Sequence, residues 1–103
     1  MTRYAKRVDG NHAEIRGHFR ALLGDGCVVD TSKAGFGLGD LAIAHGGIVM
    51  LIEIKTATGK LTKAQERCPL PQRLVRNLAD VEETVRVLKR WHRWITEGSL
   101  QQK

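Results

Sequence analysis

Two short apolar runs, separated by Gly46-Gly47, form the most regular pattern in this 103-residue chain. Residues 41–45 and 48–54 are rich in aliphatic and β-branched side chains, and paired glycines accept the positive φ angles of a two-residue hairpin turn. The pattern therefore predicts a β-hairpin in which His45 opposes Ile48. Its apolar side chains fall on both faces, which is typical of central strands covered on both sides.

The remaining patterns predict three helices and two strands around this hairpin. In chain order they are a helix from Asn11 to about residue 23, a strand at 27–31, a short helix from Thr62, a strand at 74–76 and a helix at 80–97. Asn11-x-x-Glu14 and Thr62-x-x-Gln65 have the pattern of capping boxes, and Gly98 is predicted to end the last helix. This order predicts an α/β fold, a small sandwich around a mixed sheet with an α-β-β-β-α-β core and a C-terminal helix.

The last helix presents a choice of roles for its aromatic residues. Apolar side chains at helical spacing predict one packed side, formed by Val81, Val85, Leu88, Trp91 and Ile95. The segment 89–94 interleaves basic residues with Trp91 and Trp94, which suits stacking on nucleic acid. Tryptophan at this spacing is more often found in a core or a subunit interface, so we favour that interpretation.

Length and charge limit the class of protein. A chain of this length predicts a single domain, 1–103, with a basic arm at 1–10, a core at 11–77 and a C-terminal helix at 78–97. The net charge of +6 favours a polyanionic partner, although a merely soluble basic protein has the same composition. Isolated Cys27 and Cys68 predict reduced thiols and a cytoplasmic location, and neither a signal peptide nor a membrane span is predicted.

The predicted hairpin brings two acids together. With His45 opposite Ile48, counting along the strands places Asp40 opposite Glu53, where like charges repel. Strand alternation puts Lys55 on the same face as Glu53. Two carboxylates beside one ammonium group suggest a site for a hard divalent cation, Mg²⁺ or Mn²⁺. A surface salt-bridge cluster is the plainer alternative.

These residues resemble a known pattern. Gly39-Asp40, the later Glu53-Ile54-Lys55, the Glu14 helix and the segment 61–65 together resemble the PD-(D/E)xK nuclease superfamily, most closely its small stand-alone VRR-NUC branch of phage and bacterial proteins similar to Holliday-junction resolvases. The resemblance covers roughly residues 11–77 and implies a restriction-endonuclease-like fold in a bacterial or phage-infected cell. Gly39 replaces the proline of the family name, and Leu74-Val75-Arg76-Asn77 matches only part of the Val-Arg-Arg motif.

The resemblance also implies roles for individual residues. Asp40 and Glu53 would hold the metal with the backbone carbonyl of Ile54, and Lys55 would position or activate the attacking water. Glu14 would hold a metal-bound water or second metal, and Gln65 would support the site. Arg76 is carried over as a basic contact to nucleic acid. Both Glu14 and Gln65 have an adequate capping explanation, and Pro69 and Pro71 interrupt the helix that follows Gln65.

The functional prediction is a metal-dependent DNA endonuclease acting on branched DNA such as a four-way junction. Lys60, Lys63 and Arg67 follow the site and are candidate phosphate contacts, with solvated helix surface as the alternative. Two scissile phosphates in a junction favour a homodimer. A non-catalytic nucleic-acid-binding module of the same fold, and a scaffold or inhibitor that binds a protein through the tryptophan helix, are the competing hypotheses.

Overall fold

The hairpin forms the centre of the sheet. A computed structural model describes residues 10–34, 39–61 and 72–101. Within this part of the chain, four strands form one mixed sheet in the order β1-β2-β3-β4. The strands are β1 (Val28–Asp30), β2 (Leu41–His45), β3 (Ile48–Ile54) and β4 (Gln72–Val75), and the helices are α1 (His12–Leu23) and α2 (Leu78–Gln101). The predicted α/β class and mixed sheet are confirmed.

The hairpin register agrees with the sequence prediction along the whole of β2. His45 pairs with Ile48, and the antiparallel ladder continues to Leu41 opposite Ile52. Both turn glycines have positive φ, 57° at Gly46 and 85° at Gly47. β1 adds to β2 antiparallel and β4 adds to β3 parallel, so the ends of β1, β3 and β4 and the start of β2 share one edge of the sheet.

One face of the sheet carries the core. Alternate residues of β2 and β3 point toward the two helices, where Ile15 and Phe19 of α1 and Val81 and Leu88 of α2 are fully buried. The buried residues of the sheet on this face are Val28, Leu41, Ile43, Met50, Ile52, Ile54 and Val75. The prediction that both faces of the hairpin are covered holds only in part: on the opposite face Glu53 is buried, but Val49 near the turn is 66% exposed.

Both helices differ from the sequence prediction at their ends. Asn11 precedes α1, but its side chain donates hydrogen bonds to the carbonyls of Lys55 and Arg76 instead of closing a capping box. α2 begins two residues before the predicted start, because the Asn77 side chain caps it by accepting the N–H of Asp80 at 2.8 Å. The helix also continues past Gly98, which was predicted to end it.

The later part of α2 is less buried than its spacing predicts. Val81, Val85 and Leu88 enter the core as expected, but Trp91 is 47% exposed and Ile95 is 51% exposed. Trp94 is 75% exposed, so neither tryptophan is a core residue. Among the described residues, neither helix has the length and apolarity needed to cross a bilayer.

Candidate active site

The candidate site lies at the sheet edge where β2 begins and β3 and β4 end. Gly39 leads into it with a φ of 94°, which L side chains rarely adopt. A Cβ atom at this position would lie 2.9 Å from the carbonyl oxygen of Ile52, closer than real Cβ contacts. Glycine is therefore needed at position 39 both for its backbone conformation and for the close approach of β3.

Asp40 departs by one residue from the predicted opposition to Glu53. The N–H of Asp40 donates to the carbonyl of Ile52 at 2.7 Å, although Ile52 already pairs with Leu41 in the ladder. Two residues of one strand thus meet a single residue of the other, as in a β-bulge, a feature common beside functional sites. The carbonyl of Asp40 accepts the N–H of Thr31, which ties the bulge to the end of β1.

The carboxylate of Asp40 binds the peptide group that follows Glu53. Oδ2 of Asp40 accepts the N–H of Ile54 at 2.8 Å, and that amide belongs to the peptide bond that follows Glu53. Asp40 is only 3% exposed and Glu53 only 2%. Because Glu53 lies between the core residues Ile52 and Ile54, its side chain is on the face opposite the helices. The structure thus places the Asp40 side chain against the backbone next to Glu53.

Lys55 completes this group on the predicted side. Its Nζ lies 3.8 Å from Oε2 of Glu53, and its side chain is 14% exposed. The loop that follows β3 packs on the lysine stem, since a Cβ at Gly59 would lie 3.3 Å from Cβ of Lys55. The lysine is therefore held beside Glu53 at ion-pair distance, with most of its side chain buried.

Asn11 is predicted to cap α1 with its side chain, but it has another role in the structure. Its Nδ2 donates to the carbonyl of Lys55 at 3.2 Å and to that of Arg76 at 2.9 Å. One amide therefore joins α1 to the ends of β3 and β4 directly behind the candidate site. Its partners lie 44 and 65 residues away along the chain, so no local sequence signal could have identified it.

Only some of the predicted basic contacts to nucleic acid belong to the described residues. Arg76 lies at the edge, where Nη1 donates to the carbonyl of Thr56 at 2.5 Å and steadies the loop after β3. Lys60 is exposed in the same loop. Predictions for Lys63, Gln65 and Arg67, and for the helix from Thr62, lie outside the described residues.

Glu14 lies in the first turn of α1 with an exposed side chain. The helix packs on the core face, whereas Glu53 points to the other face. The role of Glu14 at the site stays a prediction. Within the described residues, no three His, Cys, Asp or Glu side chains converge in the manner of a metal site. The carboxylates of Asp40 and Glu53, with the nearby backbone carbonyl of Ile54, are the donors that would suit a hard cation.

A second polar cluster lies at the same edge on the helix face, and the sequence prediction missed it. Asp30 at the end of β1 accepts hydrogen bonds from Arg16 at 2.6 Å, from the Ser32 hydroxyl at 2.5 Å and from the Ser32 N–H at 2.9 Å, and lies 3.3 Å from His12 Nε2. Partial burial acts to raise the pKa of Asp30, but the hydrogen bonds from Ser32, Arg16 and His12 outweigh it and hold the pKa well below its ordinary value. This cluster ties β1 to α1.

Comparisons of the chain with protein-family models, with curated proteins and with solved structures found no match.

Proposed function

We propose that this chain is a metal-dependent endonuclease that hydrolyses phosphodiester bonds in DNA, with a restriction-endonuclease-like version of the α/β fold. The observation that best supports the proposal is the hydrogen bond from the Ile54 N–H to the carboxylate of Asp40, directly beside Glu53, with both acids nearly fully buried. Burying carboxylates costs several kcal/mol for each ion, so such a group contributes little to stability by itself. A role in holding a cation accounts for its presence at an edge of the sheet.

Phosphodiester hydrolysis requires an in-line water and neutralisation of charge on the phosphoryl oxygens. A Mg²⁺ or Mn²⁺ ion held by Asp40, Glu53 and the Ile54 carbonyl would supply Lewis-acid charge stabilisation when bound. Lys55 would orient the attacking water and neutralise phosphate charge; its ammonium group lies 3.8 Å from Oε2 of Glu53, which supports this role. Arg76 and Lys60 at the same edge would contact the flanking phosphates.

Branched DNA, such as a four-way junction, is the substrate class we propose. Cleavage of such a junction at two phosphates requires two sites, and a homodimer supplies them most simply. The net charge of +6 favours association with any DNA through phosphate contacts. The proposed location is the cytoplasm of a bacterial or phage-infected cell, where Cys27 would stay reduced, as it is in the structure.

The proposal is tested by incubating the purified protein with labelled linear duplex, single strand, flap and four-way junction in Mg²⁺, Mn²⁺ or EDTA. Asp40→Asn, Glu53→Gln and Lys55→Ala should each lower metal-dependent cleavage by about 100-fold or more. Asp30→Asn is the matched control, because it removes an acid at the same edge but on the helix face. Cleavage that survives Asp40→Asn, or falls equally with Asp30→Asn, would contradict the assignment.

Metal binding has a readout that does not depend on cleavage. For a site with a dissociation constant of about 1 mM, 10 mM metal should stabilise the fold by about 1.4 kcal/mol. In a domain of this size, that corresponds to a rise of roughly 5–10 °C in melting temperature. The rise should be absent in Asp40→Asn and present in Asp30→Asn.

A non-catalytic nucleic-acid-binding module is the second candidate, and one observation favours it. Lys55 already lies within ion-pair distance of Glu53, which is the arrangement of a structural salt bridge. In that case DNA binding would persist in EDTA, would weaken steeply with salt, and would be accompanied by no cleavage with either metal.

A further inference from the structure

The last part of α2 carries an apolar stripe that the fold leaves exposed. The last residue of this helix in the core is Leu88, and after it Trp91, Trp94 and Ile95 are 47%, 75% and 51% exposed. Taking about 150–250 Å² for a tryptophan side chain, these three expose roughly 300 Å². A patch of this size is comparable to the largest apolar patch of a typical monomer, which is often functional.

The spacing of the stripe matches a helix–helix seam. Val87, Trp91, Trp94 and Gly98 follow one another at intervals of four, three and four residues, the pattern of core positions in a coiled coil. Ile95 extends the stripe toward the core side. Gly98, which does not end the helix, lies in the seam and lets a partner helix approach closely.

We infer that the C-terminal half of α2 is a docking surface for a second copy of this chain, with the two helices antiparallel about a two-fold axis. In this arrangement Trp91 of one copy lies against Trp94 of the other, and Val87 lies against Gly98. The two domain bodies then extend in opposite directions from the contact. The same patch serves both copies, as closed two-fold symmetry requires.

Charges beside the stripe are complementary in this pairing. Arg90 and Glu97 are seven residues apart and flank the seam on the same side. Within the described part of the chain, neither is in an ion pair within 4.0 Å. When Trp91 opposes Trp94, Arg90 of each copy lies beside Glu97 of the other. The contact therefore contains this ion pair twice, which offsets part of the repulsion between two chains of charge +6.

The position of the stripe favours a second copy over nucleic acid. α2 starts at the edge that holds Arg76 and runs to the hairpin turn, where His92 packs against Gly46 and meets the His45 ring at 4.9 Å. The stripe thus lies at the far end from Asp40, about 23 Å away along a seven-residue strand. It also belongs to the helix layer, whereas Glu53 faces the other side, so DNA bound at the acids would not cover it. The inference rests on the proposed function only in that it assigns a contact surface to the homodimer proposed there; its test requires no nuclease activity.

The area of the apolar stripe determines how tightly the two copies are expected to bind each other. Twice the stripe plus its flanks is below the roughly 1,200 Å² of a standard stable interface, so we expect a concentration-dependent dimer with a micromolar dissociation constant. Sedimentation of the full chain without DNA or metal, from about 1 to 200 μM, should show a monomer that converts to a dimer. Trp94→Ser should weaken dimerisation by at least about tenfold.

Charge exchange identifies the partner. Arg90→Glu and Glu97→Arg should each weaken the dimer several-fold, and the two changes combined should restore it. Lys89→Glu is the matched control: it changes the net charge as Arg90→Glu does, but Lys89 lies on the side of the helix away from the seam, in the shallow groove that also contains His45 and His92. It should leave the dimer unchanged, and circular dichroism should show every variant folded.

The proposal would be overturned if the chain stays monomeric from about 1 to 200 μM. It would also be overturned if Trp94→Ser and the charge reversals leave the dimer unchanged. A monomer whose binding to single-stranded oligonucleotides is lost in Trp94→Ser would also overturn it, since the stripe would then be a base-stacking surface.

Discussion

Replacing Gly39 by alanine tests the geometry of the candidate site directly. The φ of 94° costs a residue with a side chain about 1–3 kcal/mol. The new Cβ would also press on the Ile52 carbonyl oxygen from 2.9 Å. That oxygen accepts the Asp40 N–H, a hydrogen bond worth about 1 kcal/mol that the displacement would weaken. Gly39→Ala should therefore lower the free energy of unfolding by about 2–4 kcal/mol.

Gly47→Ala is the matched control, because its φ of 85° is similar but no atom lies within 4 Å of the added Cβ. It should cost only the backbone term, about 1–3 kcal/mol. Urea denaturation of both variants in EDTA measures the difference without any contribution from metal. If cleavage is observed, Gly39→Ala should also reduce it by about 100-fold through displacement of Asp40. Equal destabilisation by the two variants would refute the argument that β3 approaches Gly39 too closely for a side chain.

Two further predictions concern the supports of the edge. Asn11→Ala removes both hydrogen bonds to the Lys55 and Arg76 carbonyls, so it should lower the free energy of unfolding in urea by about 1–3 kcal/mol. Asn11→Asp should not restore this stability, because a carboxylate cannot donate a hydrogen bond. A loss below about 0.5 kcal/mol would contradict the role of this amide. Because the pKa of Asp30 is lower in the folded state, unfolding takes up protons as the pH falls below about 4, and the stability that Asp30 contributes is lost there. Urea midpoints between pH 2 and 6 should therefore fall more steeply below pH 4 in the wild type than in Asp30→Asn; parallel profiles would contradict this.

The part of the fold that could be predicted from the sequence is the part fixed by local chemistry. Gly46-Gly47 determines the turn, the turn determines the register, and five strand pairs follow as counted. The offset at Asp40 could not be counted, because it depends on the approach of Gly39 to Ile52 in three dimensions. A glycine in the sequence permits a positive φ, but it does not show whether the fold adopts one at that position.

Burial was predicted less well than secondary structure for a related reason. Helical spacing places Trp91 and Ile95 on the side of Val85 and Leu88, but spacing does not say where the sheet beneath the helix ends. α2 extends beyond the end of the sheet, so its later apolar residues have no core to pack against. The apolar residues on the second face of the hairpin, such as Val49, were misjudged in the same way: composition alone does not show what covers a face.

The contacts at this edge of the sheet differ widely in sequence separation, and this difference indicates the order in which they form during folding. The bond from Ile54 to Asp40 joins residues 14 apart, whereas the bond from Asn11 to Arg76 spans 65 residues. Short loops close early and at small entropic cost, while long-range contacts wait for the rest of the chain. The two acids should thus come together when the hairpin forms, within microseconds. The carbonyl behind Lys55 becomes fixed only when α1 and β4 dock, so the lysine side of the edge is the last part of the domain to acquire its shape.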